Sequence, residues 1–266
     1  MERELHHALE RNELCLHYQA QVDTASGRLC GVEALVRWQH PRRGLIGPHE
    51  FIGVAEEAGL ISRLGKWVLR ESLRQLALWR RGGLELAQMS VNVSSLQLQG
   101  ADLVDVVREA LQDTGLGGSS LCLELTESAI IESGPQVTGT LSDIKRLGVR
   151  LALDDFGTGY SSLTYLRRFP IDELKIDRSF VTNCDSDANN SAITAAIIAM
   201  AHRLGLRVVA EGVETPQQLA FIHASGADAY QGYLFAKPLP ATEFVRLLAA
   251  RKAAHADADA DLVVLT

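Results

Sequence analysis

The sequence has no C-x-x-C pair, no run of lysine and arginine, and no apolar stretch approaching the length of a membrane span, and each gap removes a class of protein. Without paired cysteines, Cys15, Cys30, Cys122 and Cys184 are expected to be buried free thiols in a reducing compartment, because the first three sit inside apolar runs. Without a basic stretch, and with a net charge of -7, the chain is no general DNA or RNA binder, so a phosphate ligand would need help from cations. Its eight histidines show no shared metal-ligand spacing, and Trp38, Trp67 and Trp79 are expected to be core residues. The opening Met1-Glu2-Arg3-Glu4 carries no apolar signal region. The expectation is a cytoplasmic domain that makes no membrane contact itself, whether or not a larger membrane-bound or multidomain protein contains it.

What is present is alternation. Short apolar runs alternate with longer amphipathic segments, the pattern of βα units. Strands are predicted at Leu14 to Val22, Cys30 to Trp38, Met89 to Val93, Leu121 to Leu125, Arg150 to Leu153, Glu173 to Ile176, Arg207 to Ala210 and Asp228 to Tyr233. Helices are predicted at Glu50 to Ala58, Leu64 to Arg80, Leu103 to Thr114, Gln136 to Leu147, Ser161 to Arg168, Ala188 to Leu204, Pro216 to Ala224 and Thr242 to Ala253. Gly59, Gly115, Gly148, Gly205 and Gly226 each follow a helical segment where a left-handed cap is expected. Eight strands in this length match one α/β barrel, a modified (β/α)8 TIM-like fold over residues 1–253, with a frayed tail over 254–266. Only six residues, Asp23 to Arg28, separate the first two strands. That is too short for a crossover helix, so these strands must pair as a hairpin and one strand at the barrel seam must run antiparallel.

The polar residues in these strands carry the chemistry. Glu33, Asn92, Glu124, Asp154, Asp155, Lys175 and Glu211 lie within or at the ends of six different strands. In a parallel barrel, strand ends converge on one mouth. Any one acid at a strand end reads equally well as a helix cap or a partner for a surface lysine. Six strands ending this way do not, because isolated buried charges there would cost several kcal/mol each. Five carboxylates around one lysine need counter-charge, and an all-oxygen ligand set favours hard cations such as Mg²⁺ or Mn²⁺ over zinc. A site with two such ions suits in-line phosphoryl chemistry.

The run Val32-Glu33-Ala34-Leu35-Val36-Arg37-Trp38 resembles the signature of the EAL-domain family of cyclic di-GMP phosphodiesterases. Further motifs extend the resemblance in order along the chain: Asn92-Val93-Ser94, Glu124 to Ser128, Asp154 to Leu163, Leu174 to Asp177, Ala210 to Thr215 and Gln231-Gly232-Tyr233. The resemblance implies a homodimeric, metal-dependent phosphodiesterase that hydrolyses cyclic di-GMP to linear 5'-pGpG. It implies that Glu33, Asn92, Glu124 and Asp154 hold one Mg²⁺ or Mn²⁺, and that Asp154, Asp155 and Glu211 hold the second; Ca²⁺ is expected to inhibit. Lys175 would sit beside the attacking water, the identity of the general base being left open. Arg37 would contact a substrate phosphate, and Gln19, Leu35 and Gln231 are further candidates for the substrate pocket. The segment Phe156 to Ser162 resembles a loop that couples the metal site to dimerisation, with Glu127 as its anchor; by composition alone it reads as a flexible connection.

Two other readings stand beside this one. A catalytically weak or inactive cyclic di-GMP receptor would keep the pocket and lose the chemistry. Lys175 on a barrel strand could also serve as a Schiff-base lysine, a scheme in which the five acids have no task.

Overall fold

The computed structural model describes residues 1–133, 137–157 and 169–263, with side chains through 252. A barrel of eight strands closes on itself: β1 (Leu14–Asp23), β2 (Leu29–His40), β4 (Met89–Val93), β5 (Leu121–Thr126), β6 (Arg150–Phe156), β7 (Glu173–Ile176), β8 (Arg207–Glu211) and β9 (Ala229–Gln231). From β2 through β9 each neighbour is parallel. The first strand runs antiparallel to both β2 and β9, as the short connection demands. Two strands absent from the sequence prediction, β3 (Gly44–Ile46) and β10 (Leu239–Pro240), pair antiparallel to β2 and β1. Both are three residues or fewer, below the length at which periodicity is readable.

Among the described residues the barrel is wrapped by α2 (Pro48–Glu57), α3 (Ile61–Arg81), α5 (Leu103–Thr114), α7 (Val137–Arg146), α9 (Ala188–Arg203) and α10 (Pro216–Ala224), which follow the predicted helical segments closely. Four short helices were not anticipated: α1 (Glu2–Glu10), α4 (Ser95–Gln99), α6 (Glu127–Ser133) and α8 (Arg178–Val181). They run four to nine residues and offer little periodicity; in α4 the start is fixed by a capping box between Ser94 and Gln97. The helix expected over Ser161 to Arg168, and the start of the one expected from Gln136, lie outside the described residues. The closing helix α11 spans Ala241–Val263, running on through the Ala-Asp alternation of the predicted tail, where alanine's high helix propensity supports it.

The five glycines expected to cap helices all take positive φ, between 68° and 93°. All four cysteines are free, Cys122 and Cys184 buried and Cys15 and Cys30 only half-buried, a correction to the expectation of full burial. Trp38 and Trp79 are core residues as predicted, while Trp67 is partly buried.

The seam strand has no crossover helix of its own, so its outer face is covered from elsewhere. Tyr18 of β1 meets Trp79 of α3 edge-on at 4.6 Å between ring centroids, and Phe244 of α11 lies 5.3 Å from Trp79. This aromatic cluster fastens α3 and α11 to the seam strand, each ring removing on the order of 150–250 Å² from water. At the C-terminal end of β9 the backbone approach is close: a Cβ on Gly232 would fall 2.0 Å from the Val213 carbonyl oxygen. Gly232→Ala should therefore cost about 1–3 kcal/mol in urea denaturation. Gly53→Ala, on α2 with open space around the new methyl, should be neutral or stabilising by up to about 1 kcal/mol.

Candidate active site

At the C-terminal mouth of the barrel the predicted polar residues meet. The hub is Lys175 of β7, buried to 1% exposure. Its Nζ lies 2.6 Å from Glu124 Oε2, 2.6 Å from Glu211 Oε1, 3.3 Å from Asp154 Oδ1 and 4.0 Å from Glu33 Oε2. Four acids from four strands thus surround one ammonium, whose three N–H bonds cannot satisfy them all.

Asp154 and Asp155 are consecutive, and in a regular strand their side chains would point to opposite faces. The chain breaks that alternation. The β6–β7 register shifts between Leu153 and Phe156, and Asp155 takes φ 54°, a left-handed conformation uncommon for anything but glycine. Asp154 Oδ1 accepts the Asp155 amide at 3.0 Å, which helps hold the kink. As a result Asp154, Asp155 and Glu211 each bring a carboxylate oxygen within 4.8 Å of the others, a spacing at which one cation can be shared.

On the other side of Lys175, Asn92 Nδ2 donates to Glu33 Oε1 at 2.6 Å. The Asn92 carbonyl oxygen is therefore not used on Glu33. Gln231 Nε2 donates to Glu33 Oε2 and, at 3.1 Å, to Gln19 Oε1, while Gln19 Nε2 reaches the Ala236 carbonyl at 3.3 Å. Gln19 stands opposite Glu33 in the antiparallel β1–β2 register and Gln231 opposite Glu211 in the parallel β8–β9 register, so the strands on either side of the seam place both amides beside the acids. Leu35 and Arg37 follow Glu33 at every second residue of β2, half-buried at its C-terminal end; Arg37 Nη1 donates to the Val36 carbonyl at 2.8 Å. Glu127 is buried at the head of α6, immediately after β5. Residues 158–162 of the loop it was expected to anchor lie outside the described residues.

Burial and mutual repulsion make the ionised acids costly. Burial pushes Glu124 well above the usual carboxylate range, Lys175 pulling it down while Glu33, Asp154 and Glu211 push it further up. Burial likewise raises Glu211 to about 8, against the pull of Lys175 and with Asp154 and Glu33 adding to it, and raises Asp155, with Asp154 contributing. For Lys175 burial disfavours the charge, but Asp154, Glu124, Glu211 and Glu33 outweigh it and hold the ammonium well above its ordinary value. The ensemble is short of positive charge. Its donors are all oxygens, which fits Mg²⁺ or Mn²⁺.

Beside the mouth opens a cavity of about 470 Å³. Leu35, Pro48, Ile52, Leu64 and Val68 give it apolar walls, and Asn92 lies on the edge it shares with the acids. One residue inside the site escaped the sequence reading: Gln21, fully buried, whose amide touches Glu124 and Ser90. The signal was available, since Gln21 follows Gln19 by two in an apolar strand and so shares its face.

A family model described as the EAL domain matches residues 2–238. The chain belongs to the EAL domain family. The cyclic di-GMP phosphodiesterase NbdA of Pseudomonas aeruginosa is 49% identical over 249 residues, covering 92% of this chain and 32% of that protein. The cyclic di-GMP phosphodiesterase PdeR of Escherichia coli is 43% identical over 246 residues, 92% of this chain and 37% of its own length. This chain thus spans about a third of the curated relatives it matches. Among solved structures, the MucR phosphodiesterase in complex with c-di-GMP superposes with a TM-score of 0.87 at 46% identity, covering 91% of this chain and 98% of that one. Among the described residues no helix is long and apolar enough to cross a membrane.

The raised carboxylates predict a pH dependence. An acid whose folded pKa exceeds its unfolded value near 4.5 stabilises the fold below that value, and the contribution is lost as pH rises through about 8 for Glu211. In chelator the Tm should be lower at pH 8 than at pH 5. Added Mg²⁺ or Mn²⁺, which prefers ionised ligands, should raise Tm more at pH 8 than at pH 5. An equal metal effect at the two pH values would contradict the assignment.

Proposed function

We propose that this domain is a metal-dependent phosphodiesterase that hydrolyses cyclic di-GMP to linear 5'-pGpG. The observation that carries the reading is the convergence of Asp154, Asp155 and Glu211 within 4.8 Å, beside Lys175 and its acid partners. Glu33, Asn92, Glu124 and Asp154 would hold one Mg²⁺ or Mn²⁺, and Asp154, Asp155 and Glu211 the other. When bound, the ions would supply the positive charge that acidifies an attacking water and balances the phosphate.

The remaining work belongs to the chain. Lys175 donates to Glu124 and Glu211 and orients them; its ammonium holds a proton within reach of the reacting centre. Gln231 and Asn92 fix the two oxygens of Glu33 and so its orientation. Arg37, on the same strand face as Glu33, offers a guanidinium fork to a phosphate. The 470 Å³ cavity between Leu35 and α3 is large enough for a purine base, with apolar walls to bury it. The names of NbdA, PdeR and MucR point to the same substrate. A cytoplasmic setting and a homodimer accord with free thiols and with the family, and are part of the proposal. The receptor reading is disfavoured by the complete acid set and the Schiff-base reading by the four carboxylates crowding Lys175.

Incubation with cyclic di-GMP and Mn²⁺ followed by chromatography should yield the linear dinucleotide. Chelator should abolish the product and Ca²⁺ should not support it; tight binding with no product over a wide range of enzyme and Mn²⁺ would instead establish a receptor. Glu33→Ala should lower turnover at least ~100-fold while part of the dinucleotide affinity survives. Lys175→Ala should lower kcat by about 10²–10⁴-fold with Mn²⁺ still bound, and loss of Mn²⁺ from that variant would move Lys175 into a purely supporting role.

A further inference from the structure

Beneath the acids, on the inner face of the seam strand, Gln21 is completely buried. Its Nε2 reaches Glu124 Oε1 at 3.4 Å and Ser90 Oγ at 3.5 Å, while its Oε1 has no hydrogen-bond partner among the described residues. That oxygen is wedged against Gly31, the residue opposite it in the β1–β2 register, so closely that a Cβ on Gly31 would fall 2.5 Å away. A buried, unpartnered carbonyl costs about 1–3 kcal/mol, and a leucine would fill the same space without that cost. What leucine lacks is the donor. With Glu124 ionised, as a cation ligand must be, flipping the amide would turn its oxygen toward the carboxylate, acceptor against acceptor, so a cation-binding Glu124 requires this orientation.

Glu124 is thus held at both oxygens: Oε2 by Lys175 at 2.6 Å and Oε1 by Gln21 from below. We infer that Gln21 is a positioning residue, its amide backed by Gly31 so that the Glu124 carboxylate is preset to receive a divalent cation. This rests on the metal-dependent reading of the mouth. Gly31 is small because any side chain there would push the amide off Glu124.

The test measures Mn²⁺ binding to the full chain by electron paramagnetic resonance, with Tm in chelator recorded for each variant. Gln21→Leu should weaken Mn²⁺ binding about 10-fold, in the range seen when the group orienting a metal ligand is removed. Its Tm in chelator should not fall. The Mn²⁺ concentration for half-maximal turnover should rise in parallel, while KM for cyclic di-GMP at saturating Mn²⁺ stays within twofold. Gly31→Ala, which acts through displacement of the amide, should give the same Mn²⁺ defect and serves if Gln21→Leu does not fold. Because Gln21→Ala frees the space beside Gly31, adding Gly31→Ala to it should weaken Mn²⁺ binding no further. Unchanged Mn²⁺ affinity in both single variants, or additive losses in the double variant, overturns the positioning role while leaving the metal site intact. Wild-type protein that binds no Mn²⁺ overturns the metal reading and the inference together.

Discussion

One ammonium facing too many carboxylates is the constraint from which the rest of this molecule follows. Lys175 is buried among Glu124, Glu211, Asp154 and Glu33, and Asp155 adds a fifth acid to the same mouth. Desolvating ions costs several kcal/mol each unless they are matched, and a single cation cannot match five anions. Alone, the chain relieves the excess by drawing protons onto Glu124 and Glu211. Divalent cations offer a second relief that keeps the acids ionised. The two reliefs compete, which ties cation occupancy of the site to proton release.

Holding that many acids together requires a scaffold that does not relax. Among the parallel strands, β2, β5, β6 and β8 deliver one or two acids each to the mouth, β4 and β7 bring Asn92 and Lys175 beside them, and the core behind is apolar and closely packed. The antiparallel seam contributes something different. From β1, Gln21 donates to Glu124 and Gln19 accepts from Gln231, which itself donates to Glu33, so neutral amides hold acid oxygens without adding charge. Neutral donors suit this site because each further cation of the protein's own would compete for the same carboxylates.

Most of this arrangement is legible in the amino-acid sequence. The strands carrying Glu33, Asn92, Glu124, Asp154 and Glu211 form where the sequence places them because apolar runs broken by one or two polar residues stand out, and the hairpin follows from a connection too short for a helix. Illegible were features set by local geometry. Nothing in the string Leu153-Asp154-Asp155-Phe156 announces that Asp155 will take φ 54° and put two successive acids on one side. Nor does a strand pattern reveal that Gln21 will lean on Gly31, a contact made across the hairpin. The short helices α4 and α6 lay beneath the reach of periodicity, and the Phe156 to Ser162 loop extends beyond the described residues.

The floor of the same barrel shows that the imbalance belongs to the mouth and not to the fold. Two residues before Lys175 on β7, Glu173 is equally buried, yet it has a cation of its own: Arg207 Nη1 lies 2.8 Å from its Oε2. Arg207 also donates to Cys30, and Arg150 donates to Gln88 on the same level. Basic residues therefore match or outnumber acids at the floor, and no external charge is called for. One turn of the pleat higher, the same strands carry five acids and one lysine. A barrel interior that neutralises its acids at one level and leaves them short of positive charge at the next is built at the mouth for something other than stability, and on the function proposed above a pair of hard cations would remove the deficit.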